Sequence, residues 1–188
     1  MSSASCFSAS RVILLTFALL GVSLVSAAAA NISVPFIQQK TSVECGRAVL
    51  ASLAARRGGN VEAQYSRLPP PPDQQQGYSV AEMRRFGAKV GVSLSVMAPR
   101  GLVIAGECSS RPPVTEHYRR LAQTVAGGSP VVVPITQRFG GGHYLILVGA
   151  QGETFTAHDP GSPGLKQYTA SELAARMCDY GYVALRAR

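Results

Sequence analysis

The stretch Gln39–Gly59, QKTSVECGRAVLASLAARRGG, carries the information that decides the fold. Up to Glu44 it is polar and aperiodic. From Cys45 the apolar residues Val49, Leu50, Leu53 and Ala54 recur at helical spacing, and Gly58-Gly59 ends the run. A cysteine is therefore predicted in the first turn of a buried helix. A helix N-terminus carries roughly half a positive charge and unpaired backbone N–H groups, both of which favour a thiolate there. Gly46 lets the backbone behind Cys45 come close to another chain. Gln39, six residues upstream, can set an amide N–H beside the Cys45 backbone N–H, a pair suited to holding an oxyanion. The competing reading of Cys45 is a small buried residue heading a core helix, and position alone weighs the two equally.

Downstream, Leu68–Gln76 (LPPPPDQQQ) is forced by its four prolines into an extended, exposed path. Ser79 then stands three residues before Glu82, the signature of a capping box, and Val80, Met83, Phe86 and Val90 make the apolar face of a helix that Gly91 stops. Val92–Met97 alternates as a strand, Arg100–Pro113 is a loop or hairpin containing Cys108, and Thr115–Ala126 is helical. Val131–Gln137, His143–Val148 and Phe155–Asp159 read as strands, Ser171–Met177 as a short helix and Tyr180–Leu185 as a last strand. Helices first and an antiparallel sheet after them make an α+β domain.

Two residues of the second half turn the cysteine into a candidate nucleophile. His143 follows Gly140-Gly141-Gly142, which leaves its imidazole uncovered, and it opens an otherwise apolar strand. Asp159 lies sixteen residues later, and the midpoint of the pair is Gln151, in the middle of the predicted loop. An odd-length loop centred there places the two side chains directly opposite, with Cβ atoms about 4.5–5.5 Å apart. That suits a carboxylate fixing the imidazole tautomer, whereas a two-residue loop offsets them by one place. Against this stand a satisfied edge histidine and ordinary turn chemistry at Asp159-Pro160-Gly161. His117, in a helix expected to be exposed, and His158, on the strand face opposite to Asp159, read as structural. No Cys/His spacing resembles a zinc site, and Gly140–Gly142 lacks the Lys and Ser or Thr of a phosphate loop, so neither metal nor cofactor is expected.

The first thirty residues read as a secretory signal peptide. Arg11 is their single charge, Val12–Val25 is almost wholly apolar, and SAAAAN supplies small residues for cleavage near Ala30. The apolar core of about 14 residues is short of the ~20 that span a bilayer, so no stable membrane insertion is expected once the signal is removed. What remains, residues 31–188, is one domain, expected to be periplasmic or secreted. Removing Arg11 from the 18 basic residues leaves 17 against 10 acids. The basic residues form no long run, and the pairs Arg56-Arg57, Arg84-Arg85 and Arg119-Arg120 stand apart, which favours solvated helix faces over a nucleic-acid patch. Of four cysteines Cys6 leaves with the signal, and the odd number remaining points to one free thiol in an oxidising compartment. If that thiol is Cys45, Cys108 and Cys178 can pair, or remain as two buried thiols.

Gln39–x5–Cys45–Gly46, a glycine-preceded His143-Tyr144 and Asp159-Pro160, in that order, resemble the motifs of the bacteriocin-processing (double-glycine) peptidases and their stand-alone relatives. The resemblance spans about residues 34–185 and includes Gly77-Tyr78-Ser79 and the Gly-Ser-Pro-Val-Val-Val strand. It implies a papain-like fold with a cleft between a helical half and a sheet. It also implies that Cys45 attacks, His143 is the base, Asp159 orients it and Gln39 helps to hold the oxyanion. The expected protein is a monomeric, exported cysteine peptidase acting on a peptide or protein. An acyltransferase or deamidase using the same residues, and a non-catalytic papain-like binding module, are the alternatives. The best-known members are cytoplasmic domains of transporters that cut after Gly-Gly. This chain is expected to stand alone, without a transporter, and to be exported, which leaves open whether it shares that specificity.

Overall fold

Helix α1 (Cys45–Ala55) forms where the apolar spacing predicts it, and ten of its eleven residues are buried. Such all-round burial requires partners on several sides. These are the short helix α2 (Val61–Arg67), helix α3 (Val80–Lys89) and one face of a sheet. The computed structural model describes residues 31–72, 75–99, 115–137 and 141–188. The expected signal peptide, Cys108 and the whole of the expected 100–113 loop lie outside the described residues. Among the described residues, no helix is long and apolar enough to cross a membrane.

The fold is α+β and papain-like. Among the described residues five helices accompany six strands: β1 (Leu94–Met97), β2 (Val131–Thr136), β3 (Gly142–Gln151), β4 (Thr154–His158), β5 (Leu165–Thr169) and β6 (Ala184–Ala187). They form a single antiparallel sheet in the order β1-β6-β2-β3-β4-β5. Helices α1, α2 and α3 cover one face, with Val132, Tyr144, Ile146 and Val148 beneath them. Helices α4 (Thr115–Ala126) and α5 (Ala170–Met177) cover the other, over Val131, Val133, Leu145, Leu147 and Phe155. The two central strands are thus buried on both faces, which is why VVVPI and YLILV are continuous apolar runs rather than alternating ones.

Several local expectations hold. Ser79 Oγ accepts from the Glu82 N–H and Glu82 returns the bond to the Ser79 N–H, so α3 begins with the expected capping box. Others need correction. His117 is buried, not exposed, because His117, Tyr118, Leu121 and Val125 together form the face that α4 turns to the sheet. The last strand begins at Ala184 rather than Tyr180. Cys178–Tyr180 is a 3-10 turn, and Gly181 and Tyr182, both at φ 57°, hold the chain in the left-handed region before it can extend. The sequence reading passed over α2, a seven-residue helix capped by Asn60, and β5, a polar edge strand in which Tyr168 alone is buried.

Candidate active site

The Cys45 thiol sits at the head of α1, buried (2 % exposed) and unbridged. Glu44 occupies the N-cap position yet makes no side-chain cap bond. Its carboxylate pairs instead with Arg47 Nη1 at 2.6 Å. Burial pushes this carboxyl up, but the hydrogen bonds from Arg47 and Tyr65 prevail and hold it below its ordinary value. Arg47 in turn donates to the Tyr65 carbonyl at 3.1 Å and lies 4.3 Å over the Tyr65 ring. Helix α2 therefore braces the first turn of α1, while the N–H end of that helix is left without a side-chain cap. Gly77 closes the other side. A Cβ there would stand 3.9 Å from Cys45 Sγ, so backbone rather than side chain flanks the thiol.

His143 and Asp159 meet, but not by the expected route. The β3–β4 hairpin closes between Gln151 and Thr154 over a two-residue loop, Gly152-Glu153, not an odd-length one. An unbroken ladder from that loop would set Asp159 opposite Ile146 and on the face away from His143. A bulge at Val148 shifts the register, so that Leu147 pairs with Ala157 and Ile146 with His158. The ladder ends at Ile146–His158 and Asp159 follows directly; extended by one place, the shifted register would set it opposite Leu145, one diagonal step from His143. Diagonal neighbours are about 7–8 Å apart at the backbone, within reach of a carboxylate and an imidazole. The bulge has restored the parity that the loop length took away.

The contact itself is short. His143 Nε2 lies 2.7 Å from Asp159 Oδ1, and both residues are buried, 4 % and 8 % exposed. Oδ1 also accepts from the Gly161 N–H at 2.9 Å, and Oδ2 accepts from Lys166 Nζ at 2.8 Å. Burial pushes the Asp159 carboxyl up, but these three donors outweigh it and hold it far below the usual carboxylate range. Burial pushes the His143 imidazole down. The Asp159 carboxylate and the Cys45 thiol act the other way and raise it to about 9. With Nε2 committed to Asp159, Nδ1 is the nitrogen left for Cys45, and it makes no hydrogen bond of its own.

Gln39 reaches the same neighbourhood through the backbone, its N–H bonded to the Pro160 carbonyl at 2.9 Å, directly after Asp159. Its side-chain Nε2 donates one hydrogen to the Thr41 carbonyl at 2.9 Å, so the second amide hydrogen is the one available to a ligand. His158 lies apart, stacked on Phe36 at 5.7 Å, in agreement with a structural role. Cys178 is disulfide-bonded, the first of the two alternatives the sequence leaves open, and Cys108 falls outside the described residues. Lys166 was missed by the sequence reading. The available signal was Gly161–Gly164, a turn that folds β5 back along β4 and returns Lys166 to Ala157.

Known structures share this arrangement of elements. A double-glycine motif protease of an AMS/PCAT transporter, solved with a leader peptide, superposes with a TM-score of 0.55 at 16% identity, covering 84% of this chain and 93% of that one. The fold is that of the double-glycine peptidase domains. A C39-like peptidase from Bacillus anthracis matches with a TM-score of 0.55 at 15% identity, over 83% and 94% of the two chains. The peptidase domain of Streptococcus ComA, a bifunctional ABC transporter, matches with 0.52 at 17%, over 81% and 96%. No family model and no curated protein matches the sequence. At these identities the likeness is one of fold, and the chemistry rests on the residues described above.

Proposed function

We propose that the chain is an exported cysteine peptidase in which Cys45 is the nucleophile, His143 its base, Asp159 the residue that orients the base, and Gln39 a donor to the oxyanion. The observation that carries this reading is the 2.7 Å contact of His143 Nε2 with Asp159, which leaves Nδ1 for a thiol at the uncapped head of a helix. In this reading the Cys45 thiolate adds to the carbonyl carbon of the scissile peptide. The negative oxygen that forms is held by the Cys45 backbone N–H and the free amide hydrogen of Gln39. Collapse of this intermediate breaks the C–N bond, and the His143 imidazolium gives its proton to the departing amine. Water, deprotonated by the same imidazole, then adds to the thioester and releases the acid and the free thiol.

A peptide as substrate class agrees with the leader peptide bound to the AMS/PCAT-transporter protease of the same fold. Export rests on the reading of residues 1–30 as a signal peptide, in line with the bonded state of Cys178. Cys45→Ala is expected to abolish both peptide cleavage and labelling by an epoxide thiol trap. A Cys45→Ala protein that still cleaves overturns the mechanism. Product masses separate hydrolysis, which adds one water and splits the chain, from transfer of the same acyl group to an amine.

A further inference from the structure

Lys166 stands outside the four residues just assigned, yet it completes the surroundings of the Asp159 carboxylate. It enters from β5, the edge strand, where it pairs with Ala157 of β4. Asp159 follows β4 directly, two places beyond Ala157, so extending the alternation by one residue makes Lys166 its diagonal neighbour across the β4–β5 pair, as His143 is across the β3–β4 pair. The carboxylate is thereby approached from both sides. Oδ1 holds His143 Nε2 and the Gly161 N–H, and Oδ2 holds Lys166 Nζ. Rotation of the carboxylate about its own axis breaks all three bonds at once. The ammonium group also offsets a negative charge that is otherwise directed wholly at the imidazole.

We propose that Lys166 is a positioning residue for the Cys45–His143 pair, clamping the plane of the Asp159 carboxylate and balancing its charge. This inference rests on the peptidase reading for its consequence, but its physical content is independent of substrate. Other charged or titratable groups stand around the cluster. Cys45 on α1 and Tyr180 in the 3-10 turn lie on the thiol side of the imidazole. Tyr168 on β5 and Arg176 on α5 act on the lysine side, with the Arg176 guanidinium 5.7 Å from the Tyr168 ring. None of these donates a bond to Asp159, so none replaces Lys166 Nζ at Oδ2.

The test compares the parent protein with Lys166→Met, Lys166→Gln and Lys166→Arg. The first readout, made without substrate, is the titration midpoint of the His143 imidazole by NMR. Removing the ammonium leaves the carboxylate uncompensated, which favours the imidazolium, so Lys166→Met and Lys166→Gln are expected to raise the midpoint by about half a unit or more. Lys166→Arg restores the parent value. The second readout is the pH profile of kcat/KM on a cleaved peptide. The same two variants are expected to lose about tenfold at the optimum and to carry the alkaline limb upward with the His143 midpoint. A His143 midpoint that does not move in a folded Lys166→Met or Lys166→Gln protein overturns the proposal. Lys166→Gln retains a hydrogen-bonding amide and serves if Lys166→Met does not fold. A parent protein with no peptidase activity whose His143 midpoint still moves in the variants overturns the peptidase reading alone.

Discussion

Replacing Gly46 by alanine sets two opposing effects against each other at the first turn of α1. In an ordinary helix interior, glycine to alanine gains about 1 kcal/mol. At Gly46, however, the new methyl carbon would stand 2.9 Å from Met83 Sδ and 3.1 Å from both Cβ and Cδ2 of Tyr78. Met83 is flexible but fully buried. Tyr78 is held at both ends, its hydroxyl donating to the Pro69 carbonyl and its ring 4.8 Å from that of Phe86. The Tyr78 Cβ moves only with the backbone that leads into the Ser79 cap. Overpacking a close core costs about 1–3 kcal/mol, and three contacts of this length belong at the upper end of that range. The net expectation is destabilisation by about 1–2 kcal/mol, a fall in Tm of about 2–8 °C for a domain of this size. Urea denaturation and thermal melts followed by circular dichroism measure it. A Gly46→Ala protein as stable as its parent, or more so, refutes the reasoning, because it means that Met83 and Tyr78 yield without cost.

Further expectations follow the same logic. Ser79→Ala removes the cap of α3 and is expected to cost about 1 kcal/mol in the urea midpoint; an unchanged midpoint would show that the capping box is energetically idle. Gly77→Ala brings a methyl within 2.9 Å of the Val43 backbone carbonyl, which cannot swing aside as a side chain can, and displaces the segment that leads to Cys45. Alkylation of Cys45 by iodoacetamide is expected to slow about tenfold, since small misplacements of reacting groups are costly, and an unaltered rate contradicts this. The His143–Asp159 pair also predicts how stability depends on pH. His143 is raised from 6.5 to about 9 on folding, so its contribution is complete below about pH 6.5 and is lost as pH rises through about 9. Asp159 is depressed from 3.8, so its contribution is present above that value and is lost as pH falls below it. Urea midpoints should therefore peak between these limits, and His143→Gln should flatten the alkaline arm.

Much of this molecule is legible in its sequence, and the parts that are not have physical reasons. Helix α1 announces itself because burial of ten of its eleven residues leaves a strong periodic and compositional trace. The α3 cap is equally plain, since Ser79 and Glu82 act through bonds between near neighbours. Strand β5 is not, because it lies at the sheet edge and buries one side chain of five, so little pressure shapes its pattern. His117 reads as part of an exposed helix, although its spacing to Leu121 and Val125 places it on the apolar face of α4. The meeting of His143 with Asp159 was anticipated, but for a partly mistaken reason. Symmetry about Gln151 brought the right residues together, while the two-residue loop and the bulge that achieve it are set by local backbone geometry no residue pattern here reveals. Lys166 depends on that same missing strand.

The extra residue at Val148 has a consequence for how this hairpin can vary in length. Residues added at the Gly152-Glu153 tip can be absorbed as a longer loop, with the ladder beyond it intact. Loss of a single residue between the bulge and His143 cannot be absorbed that way, because it rotates the imidazole to the other side of the sheet while Asp159 stays in place. Related chains should therefore differ freely at the tip and keep a constant count from bulge to histidine, so that insertions and deletions, and not only substitutions, record where the pair is held.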